Sequence, residues 1–592
     1  MSRLAAPLIG AAALFILGAA IAESSPADAQ RRPITFPISA PRGVASSRTT
    51  AAARAPNSLV RRAQARGPFG GIAADAPAPP APSSPAIAAR PLTTIPRATA
   101  ARPLPARLMS MRQAVRYMRT VAVRESRFQR PGVGYEPETG LTYDGHDVNV
   151  DTGALYGDAR NASAASKESL DIALLVKVLQ GDPTARLLVS PNPRNPAAAV
   201  RVAIDRLTRK INSYDSFNRR HPGFGGFLPW FRVAGEAGAR QMEPTADWQN
   251  RVPGLDNGQL AWSVYHAEHA LEQLGHHGLA ARYGAQLDRM RHNVVRIFYD
   301  PTRRQLRAEA RLLRPSTEAP DEAGYVNNVE GYFLDDAYEG LMMNHFADLL
   351  GDWSHQPEGR DALWREPRRE PATYTTRAGQ RITVVRAHWG SGHEAWGDLV
   401  LPYTDLPVAR DLARNLEGVR TVHAAESGRP GLAASASAPV GHNRGSHYVS
   451  AVGIPGIARQ PIETDTVLAP YAAFPIALVD RPMFATWLRN MLDGPRVNGP
   501  NGMVEAFQVD GRAITPVMTW DGKVLPMMAW MGGIRDDVRR ELQRDGLYDA
   551  FMARVRTDYQ RFDPRTIEGR DVPLSAPTAA VPRAMPDYVH TD

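Results

Sequence analysis

Apolar residues recur at spacings of three and four along most of the chain after Leu108. The clearest case is LDNGQLAWSVYHAEHALEQLG, residues 255–275, where one helical face carries Leu260, Val264, Ala267, Leu271 and Leu274. Asp256 is placed to cap the start of this helix, and Gly275 is placed to end it. The pattern therefore predicts an amphipathic α-helix that buries one side.

The same periodicity predicts further helices in 166–181, 195–212, 279–300, 334–353, 407–418, 481–494 and 534–562. Long loops rich in glycine and aromatic residues separate these segments, and extended runs such as QRITVVRAHW predict small hairpins. Amphipathic helices alternating with such loops favour a mainly α fold, a helical toroid with its function on the loops at one end. An irregular α-solenoid is the alternative, although the chain shows no fixed repeat of 30 to 45 residues.

The N-terminal part of the chain has a different composition from the helical part. Residues 1–22 combine one arginine, an apolar run and small residues around Ile21, which predicts a cleavable secretory signal; an uncleaved membrane anchor is the alternative. Residues 23–107 are rich in Ala, Pro, Arg and Ser and predict a disordered tether. We expect the catalytic domain to span 108–565 and a flexible tail to span 566–592.

The net charge of +9 is concentrated in the predicted tether. Residues 31–110 hold twelve arginines, no lysine and the single acid Asp75, whereas residues 111–592 sum to −1. A nearly neutral folded part gives no reason to expect a nucleic-acid partner. The tether arginines could contact an anionic membrane or envelope polysaccharide, but a solvated linker is the simpler interpretation.

The chain has no cysteine, which excludes disulfides, thiol nucleophiles and thiolate metal sites. No segment after the predicted signal is apolar enough to cross a bilayer. We therefore expect an exported bacterial protein, periplasmic or secreted, without a membrane span after cleavage.

The loops mix acids, amides and aromatic rings, as a saccharide cleft requires for sugar hydroxyls and apolar ring faces. A tryptophan taken alone is more often a core residue than a sugar platform. The adjacency of acids and rings nevertheless favours a cleft. The residues of this kind that we expect to bind an oligo- or polysaccharide are Trp230, Asp336, Trp389, His393, Glu394, Arg444, Tyr448, Tyr471 and Trp520.

Other chemistries lack their motifs. No HExxH zinc motif, GxSxG elbow or phosphate-binding glycine loop occurs in the chain. We therefore expect neither a metal nor a cofactor, and paired carboxylates remain as the candidate catalytic groups.

Five stretches of the chain carry a family resemblance: GFGGFLPWF, DNGQLAW, AYEGLMM, YVSAVGIPGIARQPIETDTVLAPYAAFPIAL and GPNGMVEAFQVDG. Together they resemble the glycoamylase-like domain family and its endo-β-1,2-glucanase relatives. The resemblance covers about residues 110–560, and its most specific part is APYA following GIP. It implies an (α/α)6 barrel and inverting hydrolysis of a β-linked glucan.

The resemblance also implies site residues. The DNG motif makes Asp256 and Asn257 sugar-binding residues, the Glu-Gly pair makes Glu339 the general acid, and the acid before AF places Glu505 on the base side. Asp336 could replace Glu339 if the helix starts a turn earlier, and Glu394 is a rival carboxylate.

Two other functions remain open at this level. A polysaccharide lyase on the same toroid would use Tyr448, His447 and Arg444 to remove a proton beside a uronate carboxylate. A non-catalytic glycan-binding envelope protein would use the acids only to hydrogen-bond hydroxyl groups.

Overall fold

Helices and short strands alternate along the part of the chain that the structure, a computed structural model, describes. This part comprises residues 108–190, 195–233, 241–313, 315–316, 326–328, 333–436, 448–493 and 496–576. The predicted signal, the predicted tether up to residue 107, and Arg444 and His447 lie outside the described residues.

The described helices are α1 (Met111–Glu125), α2 (Ala165–Leu179), α3 (Pro183–Val189), α4 (Pro196–Arg220), α5 (Gly254–Gln273), α6 (His277–Phe298), α7 (Gly340–Leu350), α8 (Gly359–Ala362), α9 (Gly397–Val400), α10 (Pro407–Ser427), α11 (Phe474–Val479), α12 (Arg481–Leu492), α13 (Trp520–Trp530), α14 (Arg535–Arg544) and α15 (Tyr548–Asp558). None of the helices in these ranges is long and apolar enough to span a bilayer.

The described strands are β1 (Gly145–Val148), β2 (Leu155–Ala159), β3 (Phe231–Arg232), β4 (Glu243–Pro244), β5 (Arg251–Pro253), β6 (Tyr299–Asp300), β7 (Gln305–Leu306), β8 (Glu309–Leu312), β9 (Val326–Asn328), β10 (Pro371–Thr375), β11 (Arg381–Val385), β12 (Ser435–Ala436), β13 (Tyr448–Val449), β14 (Val467–Leu468), β15 (Asn498–Gly499), β16 (Gly502–Met503), β17 (Phe507–Gln508) and β18 (Val517–Thr519). All their pairings are antiparallel, and the predicted hairpin in 380–389 is confirmed as β10 with β11.

Six helices of the described chain form a ring that we call the inner ring: α2, α5, α7, α9, α11 and α13. Along this ring α2 contacts α5, α5 contacts α7 and α9, α9 contacts α11, α11 contacts α13, and α13 returns to α2. The helices α1, α4, α6, α10, α12 and α15 pack outside it. The predicted mainly helical (α/α)6 toroid is thus confirmed.

The two layers differ in how their helices are buried. Every residue of α7 is buried, and in α13 only Asp521 is partly exposed. By contrast, α6 buries one face built around Tyr283, Leu287 and Met290 and exposes the other, as the apolar periodicity predicts. Helices surrounded by other helices need no polar face, and α5, which the sequence predicts to bury only one side, is buried on every side between Asn257 and Ala267.

Three predicted helix boundaries are corrected by the structure. The helix of residues 255–275 starts at Gly254, so Asp256 lies in its first turn and does not cap it. The segment 334–353 becomes helical only at Gly340, because Asp336 accepts backbone bonds ahead of it. The segment 534–562 divides at Gly546, whose φ of 70° ends α14.

Three short sheets bring distant loops together at one end of the toroid. Strand β1 pairs with β18 so that Gly145 faces Thr519, which places Asp144 beside the start of α13. Strand β14 pairs with β17, and β12 pairs with β13 so that Ala436 faces Tyr448. These sheets fix the loops that carry the candidate site.

Residues 566–576 are ordered against the body of the protein, although the sequence places them in a flexible tail. Ile567 and Val572 are buried, and the Trp487 indole donates to the Ser575 carbonyl over 2.7 Å. Apolar residues with core partners do not behave as a free tail. The packed part of the chain therefore extends at least to residue 576.

Candidate active site

The N-terminal ends of the inner-ring helices meet at one end of the toroid. Each end carries a polar residue in its first turn or just before it: Lys167 (α2), Asp256 (α5), Glu339 (α7), His393 (α9), Tyr471 (α11) and Asp521 (α13). The charges of these groups shift one another's pKa, which requires that they lie close together. Helix N-termini carry partial positive charge, so this end suits carboxylates.

Glu339 is paired with His393. Nδ1 of His393 lies 2.8 Å from Oε1 of Glu339, and the glutamate side chain is 10% exposed. Burial raises the pKa of Glu339 above its usual range, and the positive charge of His393 opposes this. Burial disfavours the charged imidazole, but the Glu339 carboxylate outweighs it and raises the pKa of His393 to about 9.

Asp336 is a capping residue. Its Oδ1 accepts from the backbone N–H of Tyr338 at 2.8 Å, and both its oxygens accept from Gly340 N–H at 3.1 Å. These bonds satisfy orphan donors of α7 and aim Glu339 into the cluster. Since both oxygens are engaged with backbone, Asp336 is not placed to replace Glu339.

Asp256 and Asn257 are adjacent in α5 but face different surroundings. Burial and the charges of Asp521 and Glu339 raise the pKa of Asp256 to about 6, although Lys167 opposes this. Asn257 is fully buried, and its amide bonds Leu228 N–H, Leu228 C=O and Pro253 C=O at 2.7 to 2.9 Å. Asn257 therefore ties a loop to α5 and has no surface for sugar, contrary to the expectation.

Glu505 lies deep beside the start of α13 and is 2% exposed. One oxygen accepts from the Thr519 hydroxyl, and the other accepts from Ala436 N–H at 3.3 Å. Thr519 in turn caps α13 by accepting from Gly522 N–H at 3.2 Å. Burial, reinforced by the charge of Asp521, raises the pKa of Glu505 to about 7.

Asp521 lies between the two glutamates and a buried lysine. Its Oδ2 accepts from Nζ of Lys167 at 3.1 Å, and its side chain is 16% exposed, more than that of Glu339. Among the described residues its Oδ1 has no hydrogen-bond partner. A buried acceptor of this kind requires a donor, which a water molecule or a substrate hydroxyl can supply.

Two tyrosines border the same cluster. Burial, together with the charges of Asp521 and Glu505, raises the pKa of Tyr448 well above its ordinary value. Tyr471 is 2% exposed, donates to the Ala434 carbonyl, and has its pKa raised by burial and by Glu505. Both phenols therefore remain protonated at neutral pH and act as donors rather than bases.

The loop 388–396 is organised by Glu394, which accepts from the backbone N–H groups of 388–391 at 2.7 to 3.2 Å. Burial raises the pKa of this carboxyl, and Arg420 together with these backbone donors opposes the change. With four backbone donors on its two oxygens, Glu394 shapes the loop that presents His393 and is not a rival catalytic acid. The following residues Trp396 and Tyr403 are buried.

The three predicted sugar-binding tryptophans lie in different surroundings. Trp520 is fully buried and donates to the Gly134 carbonyl, so it is a core residue. Trp230 packs its ring 4.9 Å from Nζ of Lys167. Trp389 is half-buried against His388, with ring centroids 4.3 Å apart, and its sugar contact stays a prediction.

Sequence reasoning gave no role to Lys167 or Asp144 and no catalytic role to Asp521, which was only one of the candidate cleft acids. Lys167 stands in SKESLDIALLVKVLQG, where a lysine reads as a solvated helix residue. Asp521 follows a tryptophan in a segment without helical periodicity. The signal that could have found Lys167 and Asp521 is a charge in the first turn of a helix whose later residues are mostly apolar.

The residues described contain no group of three or more His, Asp or Glu side chains arranged to hold a metal ion. The site is instead a set of carboxyl groups, Asp256, Glu339, Glu505 and Asp521, with a histidine and a lysine as counter-charges. Environments that push the pKa values of neighbouring carboxyls apart are typical of acid–base sites.

Comparisons with known proteins agree with this chemistry. The family described as Endo-beta-1,2-glucanase SGL matches residues 141–592. A structure of a mutant endo-β-1,2-glucanase from Talaromyces funiculosus with β-1,2-glucan shares 30% identity, covers 81% of this chain and 97% of its own, and has a TM-score of 0.76. The complex of the Talaromyces funiculosus enzyme with sophorose shares 30% identity, covers 80% and 96%, and has a TM-score of 0.75. No curated protein sequence matches the chain. The extent of the family match, with the shared fold, shows that this chain belongs to the endo-β-1,2-glucanase family of glycoside hydrolases.

Proposed function

We propose that this protein is an endo-acting hydrolase of β-1,2-glucan. The observation that carries the proposal is the convergence of four carboxyl groups and His393 at the N-terminal ends of the inner ring. Family membership and the glucan complex of the Talaromyces enzyme support the linkage.

Glu339 fits the general acid. It is buried at the start of α7, and burial raises its pKa, so a proton held by the Glu339–His393 pair can pass through this carboxyl to the leaving glycosidic oxygen. His393 at 2.8 Å fixes the carboxyl and can stabilise the carboxylate once the proton has left.

Asp521 fits the base side better than Glu505, which the sequence favours. Both oxygens of Glu505 are bonded within the protein, and its raised pKa keeps it partly protonated near neutral pH. Asp521 accepts from Lys167 through Oδ2, and its Oδ1 remains for a water molecule or a sugar hydroxyl. Glu505 then supports α13 through Thr519.

The reaction we propose is inverting. Glu339 protonates the oxygen of the scissile bond while Asp521 removes a proton from the attacking water, directly or through a substrate hydroxyl. Water attacks the anomeric carbon from the face opposite the leaving oxygen, so no covalent intermediate with the protein forms.

The test is a reducing-end assay of the mature protein against β-1,2-, β-1,3- and β-1,4-glucans, with Glu339→Gln, Asp521→Asn and Glu505→Gln alongside. We expect cleavage of β-1,2-glucan, initial formation of the inverted anomer by ¹H NMR, and at least about a thousandfold loss in the first two variants.

Activated substrates separate the two roles. Glu339→Gln should recover turnover on an aryl β-1,2-oligoglucoside with a good leaving group, because that phenol needs no proton, whereas Asp521→Asn should not. Full activity of Glu339→Gln on the polymer, together with recovery on the activated substrate in Glu505→Gln, would overturn the assignment of Glu339 as the general acid.

The lyase alternative fits the site less well. A uronate substrate carries a carboxylate at every repeat, and the site would place it among four carboxyl groups, which repel it. A release of products absorbing near 235 nm from a uronate polymer, the unsaturated signature, would reverse this judgement.

We also propose that the protein is exported, from the signal-like residues 1–22. N-terminal sequencing of the protein from a bacterial host should find a chain that starts after Ala22. A chain that retains residues 1–22 in the membrane fraction would contradict export as a free protein.

A further inference from the structure

Lysine is rare in this chain, with four residues among 70 Lys and Arg. Each lysine pairs with a carboxylate at 2.6 to 3.1 Å: Lys167 with Asp521, Lys177 with Asp537, Lys210 with Glu168 and Lys523 with Glu125. Since arginine serves nearly everywhere else, these positions favour a compact ammonium over a planar guanidinium. Among them, Lys167 is paired directly with a carboxylate of the candidate site.

Lys167 is in a locally unfavourable position. It lies in the first turn of α2, where the helix dipole repels a cation, and its side chain is 2% exposed. Burial disfavours the ammonium, but the carboxylates of Asp521, Asp144 and Asp256 outweigh burial and raise the pKa of Lys167 above its ordinary value. A residue placed against both the helix dipole and burial marks a functional constraint.

The contacts of Lys167 fix the orientation of Asp521. Its Nζ lies 3.1 Å from Oδ2 of Asp521 and 3.4 Å from Oδ1 of Asp144. The backbone carbonyl of Asp144 accepts from Trp520 N–H at 3.0 Å, so the same residue also holds the start of α13. Asp521 is thereby held by side chain and by backbone, and its Oδ1 has no hydrogen-bond partner among the described residues.

We propose that Lys167 is a positioning residue that binds Oδ2 of Asp521 and so leaves Oδ1 to bind the reacting water. The inference rests on the proposed function, because it takes Asp521 as the base. Lys167 itself touches neither the scissile bond nor the water.

The charges around Asp521 explain why a lysine is needed. Acidic side chains face it from several elements: Asp144 before β1, Asp256 on α5, Glu339 before α7 and Glu505 before β17. His393, Tyr448 and Tyr471 complete its titratable neighbours. Without Lys167 these neighbouring carboxyl groups would repel the Asp521 carboxylate from its position.

Trp230 gains a role from the same geometry. Its ring lies 4.9 Å from Nζ of Lys167 and is 7% exposed. An aromatic face over an ammonium attracts it and excludes water, which strengthens the ion pairs beneath. Trp230 therefore supports Lys167 rather than offering an open platform to a sugar.

The first experiment compares kcat and KM for β-1,2-glucan in the wild type and Lys167→Met. We expect kcat to fall about a hundredfold with KM nearly unchanged, because a misplaced Asp521 carboxylate no longer orients the attacking water. Lys167→Arg keeps a cationic donor and should recover part of kcat. Lys210→Met removes an equally buried lysine from the α2–α4 contact and should leave kcat unchanged. A wild-type kcat in Lys167→Met, or an equal loss of kcat in Lys210→Met, would overturn the proposal.

A second measurement does not depend on activity. Unfolding by urea at pH 7 is compared for the wild type, Lys167→Met, Asp521→Asn and the double variant. We expect Asp521→Asn to lower the free energy of unfolding of the wild type. In the Lys167→Met background the same change should raise this free energy or leave it unchanged, because it then removes an unpaired buried carboxylate. An identical effect in both backgrounds would overturn the proposal. If the wild type leaves β-1,2-glucan intact, the proposed function fails, and this cycle still decides the role of Lys167.

Discussion

Glu505 makes the stability of this protein depend on pH, and Glu505→Gln should remove that dependence. An ordinary glutamate has a pKa near 4.5, and burial raises that of Glu505 to about 7. Between these values the folded protein binds a proton that the unfolded chain has released. Stability from this group is therefore present at pH 4.5 and is lost as the pH rises through 7.

The magnitude follows from the two pKa values of Glu505. Each pH unit between them is worth about 1.4 kcal/mol, so the free energy of unfolding should fall by about 3 kcal/mol between pH 4.5 and 7.5. Such a change is a large share of the 5 to 15 kcal/mol typical of folded domains. The glutamine variant retains the volume and cannot ionise.

The assay is urea denaturation followed by tryptophan fluorescence at pH 4.5, 5.5, 6.5 and 7.5. The difference in unfolding free energy between variant and wild type should move by about 3 kcal/mol in favour of the variant across this range. Glu366→Gln, at an exposed position, is the matched control and should show a constant difference. A constant difference for Glu505→Gln as well would refute the reasoning.

Three further changes test other contacts. His393→Gln should lower the free energy of unfolding by about 3 kcal/mol below pH 6.5, because Glu339 raises the pKa of His393 to about 9. Denaturation at pH 6 and at pH 9.5 should show that this loss vanishes as the pH rises through 9. Gly522→Ala places a Cβ 2.8 Å from Oε2 of Glu505 and should lower kcat about tenfold. Gly418→Ala adds a Cβ with nothing within 4 Å and should raise the free energy of unfolding by up to about 1 kcal/mol in thermal unfolding. The same effect on kcat and on stability in both variants would contradict this. Asn257→Ala removes three hydrogen bonds to the backbone and should lower the free energy of unfolding by about 3 kcal/mol. The KM of the folded variant should be nearly unchanged. A raised KM without a loss of stability would restore the sugar-binding interpretation.

The sequence predicts α4, α6, α10 and α12 of the outer layer and α2, α5 and α7 of the inner ring, but it predicts neither α11 nor α13. Helices α4 and α6 expose one face to solvent, so their apolar spacing is visible in 195–212 and 279–300. Helix α13 is buried nearly all round and contains Pro526, and α11 has six residues, so neither shows a helical pattern of its own.

The sequence likewise predicts only part of the candidate site. Asp256, Glu339, His393 and Tyr448 were predicted for the cleft, and the structure brings them together. Residue type alone cannot tell which way a side chain faces. Asn257 shares a motif with Asp256 but faces the core.

The carboxyl groups at 505, 394 and 336 show a second limit. Each was a candidate catalytic group by type and neighbourhood, but their oxygens are engaged by hydroxyl or backbone donors. Those donors come from residues up to 69 positions away for Glu505, as with Ala436. Only the folded chain shows which carboxylate is occupied and which has a remaining acceptor, as Asp521 does.

The inner-ring helices all begin at the same end of the toroid, so residues that serve the reaction and residues that serve folding lie in different turns of each helix. First turns meet at the reacting end, whereas later turns, such as Met342 to Leu350 in α7, contact other helices. A deep mutational scan should therefore show a gradient along every inner helix, with activity-specific losses at its start and abundance losses farther on. Related enzymes could acquire new linkages by exchanging a few residues at six helix starts while inheriting the rest of the toroid unchanged.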